Sequence, residues 1–144
     1  MIQIKEIKAE DSDGIRKAVL RKNMTLSHEM PGDHDLDSVH LGVYDQNILV
    51  CTGSFMKNNQ NGFTGNQYQL RGMATAEDCQ GRGYGRMLLT EAEAIFKARK
   101  IDLIWCNARV SALEFYKKAG YETIGDVFEV PQIGPHFVMY KRIR

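Results

Sequence analysis

The sequence predicts an α+β fold, a mixed and mostly antiparallel central sheet flanked by helices, in a single domain spanning residues 1–144. Three observations predict it. The β-rich runs Val39–Tyr44 and Ile48–Met56 are separated only by Asp45-Gln46-Asn47, which reads as a hairpin turn. The strand-like run Gln67–Thr75 leads into Gln80-Gly81-Arg82-Gly83-Tyr84-Gly85 and then into an amphipathic helix. A last pair of β-rich runs, Tyr121–Val130 and His136–Arg142, is joined by Pro131-Gln132-Ile133-Gly134-Pro135.

The remaining elements follow in chain order. Ile2, Ile4 and Ile7 alternate with polar residues and suggest a first strand. Asp11 or Ser12 is then expected to cap a helix carrying Ile15, Ala18 and Val19 on one face. The stretch Ser27–Asp37, with Pro31-Gly32-Asp33-His34, is polar and loop-like, and Lys57–Asn66 contains Asn-Gly and Gly65, a turn. After the glycines, Tyr84, Met87, Leu88, Ala92, Ile95 and Phe96 recur at helical spacing and form one apolar stripe. Lys97, Arg99 and Lys100 sit at the end of that helix, where the dipole favours cations. Asp102–Ala108 is an apolar run of the kind buried within a sheet. Ser111 and Glu114 have capping-box spacing and Gly120 reads as a helix-ending glycine, so Ala112–Ala119 is a bounded helix.

Composition narrows the function. Nineteen Lys and Arg nearly cancel eighteen Asp and Glu, so any anion site is local and a nucleic-acid partner is not expected. Three cysteines, Cys51, Cys79 and Cys106, without CxxC spacing argue against a disulfide framework or a zinc site and suit a reducing cytoplasm. Met1–Lys5 lacks a signal-peptide core and no apolar run reaches spanning length, so no membrane association is expected. No metal is expected either, although His28, Glu29, His34 and Asp35 cluster in one loop.

The glycine loop carries the strongest chemistry. Backbone N–H groups at a helix start form a ready site for phosphate oxygens, and glycine allows close approach and positive φ. The loop lacks the Lys-[Ser/Thr] of a P-loop, and no acidic residue follows at the dinucleotide-binding distance.

Taken together, Leu70-Arg-Gly-Met-Ala-Thr75, Gln80-x-x-Gly83-x-Gly85 and Ala112-x3-Tyr116-x3-Gly120-Tyr121 resemble the GNAT superfamily of N-acetyltransferases. Arg16, Asp35–His40, Asn107-Ala108 and Ile133-Gly-Pro-His136 are similar to small bacterial members of the ElaA/YjcF kind. The resemblance implies a sheet with a splayed strand pair, near Thr75 and Asn107, forming a cleft for coenzyme A. It implies acetyl-CoA as co-substrate, with the pyrophosphate on Gln80, Gly81, Arg82, Gly83, Tyr84, Gly85 and Arg86. The pantetheine arm would lie along Met73, Ala74 and Thr75. Many superfamily members carry asparagine three residues before the motif alanine; Arg109 stands there, with Asn107 a candidate substitute.

The same resemblance places the general acid at Tyr116. His136 is the preferred base over Glu77 and Glu129, since imidazole titrates near neutral pH, with a water chain as the alternative to all three. Cys106 reads as a buried structural thiol, which favours direct transfer to a primary amine of a small molecule or peptide. The alternative is a coenzyme-A-binding sensor without turnover. The C-terminal strand pair could pair across a two-fold in a homodimer.

Overall fold

The computed structural model describes all 144 residues. Seven strands form one sheet in the order β1-β2-β3-β4-β5-β7-β6. They are β1 Ile2–Ile7, β2 Val39–Asp45, β3 Ile48–Lys57, β4 Gln67–Thr75, β5 Leu103–Arg109, β6 Glu122–Val130 and β7 Gly134–Arg142. Every neighbouring pair is antiparallel except β4 and β5, which run parallel. The expected α+β architecture is therefore present. No helix is long and apolar enough to cross a membrane.

The first helical segment differs from expectation. It is wound as a 3-10 turn over Ala9–Ser12, a single α turn, α1, over Asp13–Ile15, and a π turn over Arg16–Leu20. Its buried face is Ala9, Ser12 and Arg16, not the stripe of Ile15, Ala18 and Val19. The physical reason is an ion pair that no hydrophobic periodicity can register: Arg16 turns inward to Asp33 at 2.7 Å. Neither expected cap forms as expected; Asp11 Oδ2 instead accepts the Lys8 N–H at 3.0 Å and starts the segment earlier.

α2 spans Tyr84–Ala98 and lays Leu88, Leu89, Ala92 and Phe96 fully into the core. Burying each of the larger of these side chains is worth about 1.5–3 kcal/mol. Phe96 stacks on Tyr68 with ring centroids 4.4 Å apart and tilts against Phe55 at 5.2 Å, fixing α2 over β3 and β4. The helix ends in a Schellman motif in which Ile101 N–H reaches the Phe96 carbonyl at 2.9 Å and Lys100 takes φ +62°.

α3 spans Leu113–Lys118, after a 3-10 turn over Val110–Ala112. The capping box expected at Ser111 and Glu114 does not form, because Ser111 lies inside that 3-10 turn and Ala112 holds the cap position. Gly120 does close the helix: at φ +94° it lets Tyr121 N–H reach the Tyr116 carbonyl at 3.0 Å. The β2–β3 turn is the expected hairpin, with Gln46 and Asn47 both at positive φ as a two-residue primed turn requires.

Candidate active site

β4 and β5 pair only from Gln67↔Leu103 to Leu70↔Cys106. Beyond that point β4 continues to Thr75 and β5 to Arg109 without pairing to each other. The two strands splay, leaving backbone edges free in the middle of a sheet. A bulge starts the divergence: Ser54 pairs with Arg71 and Thr52 with Ala74, so Gly53 faces both Gly72 and Met73. Gly72 adopts φ +63°, and a Cβ there would stand 3.0 Å from Arg16 Nε.

A buried polar network braces the bulge. Arg16 donates to Asp33 through two nitrogens at 2.7 and 2.9 Å, and to Ser54 Oγ at 2.8 Å. His40 Nε2 lies 2.8 Å from the Asp33 carbonyl, which can only accept, so Nε2 carries the proton. Its Nδ1 then accepts from Ser54 Oγ at 2.6 Å. Burial alone would raise the Asp33 pKa, but the bonds from Arg16 and the Met30 N–H outweigh it and hold the carboxyl below its ordinary range. The network ties the loop around Asp33 to the sheet.

Two clefts open on opposite sides of the splay, with volumes of about 560 and 450 Å³. The first is walled by Met73, Ala74 and Thr75 of β4 and by Gln80, Gly81, Gly83, Tyr84, Gly85 and Arg86. In the glycine loop, Gly81 and Gly83 adopt φ +80° and +83° with open space beside them. The N–H groups of residues 81–86 have no backbone partner, the first α2 bond being Met87 N–H to the Gly83 carbonyl. Six unpaired donors at a helix start form a cradle that fits a pyrophosphate. Glycine 85 serves a different end: a Cβ there would come within 2.9 Å of Phe115, so it lets α2 approach α3.

Side chains of the loop are placed unequally. Arg82 does not wall the cleft and donates to the Asp78 carbonyl at 3.3 Å, and Gln80 donates to the Thr75 carbonyl at 3.2 Å. Tyr84 is buried and its hydroxyl bonds Asp45, so only its backbone faces a ligand. Arg86 is exposed at the wall.

The second cleft is lined by segment 20–31, by Arg71 and Met73, by Asn107 to Arg109, and by Ile133 and His136. Leu20, Met73, Arg109, Ala112 and Tyr116 line both clefts and so mark where they meet. Tyr116 is buried, and burial pushes its phenol well above the ordinary range, with Cys106, Tyr121 and Cys51 acting in the same direction. His136 Nδ1 lies 2.8 Å from the Gly134 carbonyl, so Nδ1 carries the proton of the neutral ring and Nε2 is left as acceptor. Burial pushes the Cys106 thiol up to about 12.

The structure thus brings Tyr116 and His136 to one cleft, and leaves Glu77 and Glu129 outside both. Glu77 is exposed and pairs with Lys22 at 3.2 Å. Asn107 lines the second cleft and not the first, whereas Arg109 reaches both. The loop cluster disperses: His28 faces Asp13 at 3.4 Å, His34 faces Glu10 at 3.7 Å, and only Glu29 of the four lines a cleft. Sequence reasoning gave no role to Arg21 or Arg71, which line the second cleft. Neither stands in a spacing pattern that could have shown it.

A run of unpaired N–H groups at a helix start thus lies beside a gap between two parallel strands, and two clefts meet at that gap. The chain belongs to the Acetyltransferase (GNAT) family, which matches residues 4–121. It is 36% identical over 146 residues, 100% of the chain and 98% of the relative, to the uncharacterized N-acetyltransferase YitI of Bacillus subtilis (strain 168). Its fold is similar to that of Escherichia coli ElaA, with a TM-score of 0.80 at 17% identity over 98% of this chain and 99% of that one. It is also similar to an aminoglycoside 6'-N-acetyltransferase complexed with coenzyme A, with a TM-score of 0.78 at 17% identity over 99% and 97%. The chain is an N-acetyltransferase, of a family that uses acetyl-CoA.

Proposed function

We propose that this enzyme transfers the acetyl group of acetyl-CoA directly to a primary amine of a small molecule or peptide, within a ternary complex. The first cleft is the donor side and the second the acceptor side. The observation that carries the reading is Tyr116, which lines both clefts where they meet.

The unpaired N–H groups of residues 81–86 hold the pyrophosphate, with the α2 dipole adding to them. Arg86 is the side-chain cation nearest to that role, in preference to Arg82. The free edge of β4 at Met73–Thr75 pairs with the pantetheine amides as a peptide would extend a sheet. Arg109, in place of Asn107, is the side chain set to meet that arm.

Each remaining residue has one task. His136 Nε2 takes the proton of the attacking amine while Gly134 fixes the ring through Nδ1. A backbone N–H at Met73 stabilises the carbonyl oxygen as it gains charge. Tyr116 gives its proton to the sulfur as the C–S bond breaks, and its raised pKa keeps it protonated well past neutral pH. Cys106, with its pKa near 12, is almost wholly thiol at pH 7 and is a poor nucleophile. The three free cysteines suit a reducing compartment, and β6, one of the two edge strands of the sheet, is the strand that a second copy extends in a homodimer.

The test is thiol release from acetyl-CoA across a panel of amines, with the mass of each acceptor and of the enzyme recorded. One acetyl group gained by an acceptor, with no acetylated enzyme accumulating when the acceptor is omitted, supports the reading. Acetyl on Cys106 would replace it with a two-step route. Coenzyme A binding without thiol release for any amine would favour a sensor.

A further inference from the structure

The acceptor cleft carries an excess of positive charge that no paired carboxylate neutralises. Arg21, Arg71 and Arg109 line it, against one carboxylate, the exposed Glu29. None of the three arginines pairs with an Asp or Glu, in contrast to Arg16 a few residues away. Arg21 and Arg109 converge on one oxygen: their guanidiniums donate to the Leu20 carbonyl at 3.2 and 3.1 Å, while Arg21 also donates to the Ser27 carbonyl at 2.8 Å and to Met30 Sδ at 3.8 Å. Two like charges gathered on a single carbonyl repel each other, and an anion placed between them would relieve that. Arg71 is half-buried and makes no side-chain hydrogen bond or ion pair; the carboxylate whose charge acts on it, Asp33, is already bound by Arg16.

The donor substrate accounts for Arg109 at most, and not for Arg21 or Arg71. Arg21 and Arg71 line the acceptor cleft alone, and the pyrophosphate cradle lies at the start of α2 on the other side of the gap. A cationic acceptor, such as a polyamine or an aminoglycoside, would bring its charges against three guanidiniums without an acidic partner. The planar guanidinium fork matches a carboxylate in two-point contact and is the usual device for recognising one.

We infer that the acceptor is an amine that itself carries a carboxylate, an amino-acid-type molecule whose carboxylate is bound by Arg71 with Arg21. The inference rests on the transferase reading above and gives its substrate class. Glycine-like, aspartate-like and glutamate-like amines fit this chemistry, and the amine then faces His136 at the same cleft.

The experiment uses the full chain. Coenzyme A binding is measured first by calorimetry. Thiol release is then measured for amino acids, their carboxamides, phosphoethanolamine, spermidine and kanamycin. We expect kcat/KM for the best amino acid to exceed that of its carboxamide by about tenfold or more, the effect of losing a charge-assisted contact. Arg71→Gln should shrink that ratio toward one, and Arg21→Gln, chosen in case Arg71→Gln misfolds, should shrink it in part. Preference for spermidine or kanamycin, equal turnover of acid and amide, or no turnover of any amine despite coenzyme A binding would overturn the inference. Preference for phosphoethanolamine would keep the anion site but overturn the carboxylate. Failure to bind coenzyme A would instead overturn the transferase reading on which it stands.

Discussion

The two clefts that meet at Tyr116 are built from different materials. The cleft proposed for the donor draws chiefly on backbone: unpaired N–H groups of residues 81–86, two left-handed glycines and the free edge of β4. The cleft proposed for the acceptor draws chiefly on side chains, from segment 20–31, the β4 bulge, the end of β5 and the β6–β7 turn. A backbone site reads the same groups in every substrate, which suits a co-substrate shared across a family. A side-chain site can change with each substitution, so the acceptor can differ between proteins that keep one fold. The neighbour that acts on aminoglycosides therefore informs the fold of this chain and not its acceptor.

The largest effect is expected where the acceptor wall is tied to the sheet. Arg16→Met leaves the Asp33 carboxylate buried without its partner, a change that costs about 3–5 kcal/mol. Thermal and urea unfolding measure it; a loss under 1 kcal/mol would mean the network is not the anchor. Adding Asp33→Leu to Arg16→Met should recover much of that loss. Acid weakens the same tie. Because the folded Asp33 pKa lies below its unfolded value, its contribution is full above about pH 4 and falls away as pH drops through the folded value.

A smaller effect is expected on the donor side. Gly83→Val forces a β-branched residue into φ +83° at the start of α2, at a cost of about 1–2 kcal/mol. Coenzyme A affinity should fall about tenfold, while the preference among acceptors stays as it was. A matching change in acceptor preference would show that the two clefts are not separable.

The smallest effect lies away from both. Lys100 occupies the left-handed position that ends α2 at φ +62°, where glycine is preferred. Lys100→Gly should raise stability by about 0.5–1 kcal/mol and leave kcat unchanged. Destabilisation would mean that the Lys100 side chain contributes more than its strained backbone costs.

This division also explains what the sequence could reveal. The glycine loop was legible because a helix start, positive-φ glycines and the strand before them are adjacent in the chain. The hairpin at Gln46-Asn47, the α2 stripe and the cap at Gly120 were legible for the same reason. The first helical segment was not, because Arg16 and Asp33 are far apart in sequence and their pairing overrides the apolar stripe at Ile15 and Val19. Arg71 stood in plain view inside the motif run beginning at Leu70. Its role depends on what three distant segments fail to pair with, and no spacing rule encodes that.

Acid and amine are proposed to meet across the splay at Tyr116. The most direct test compares kcat with the coenzyme A dissociation constant in Tyr116→Phe, which removes one hydroxyl and keeps the ring packed against Phe115 and Tyr121. The account predicts that kcat falls by about 10²–10⁴ while the dissociation constant changes less than about twofold. An unchanged kcat, or a loss confined to coenzyme A binding, would contradict it.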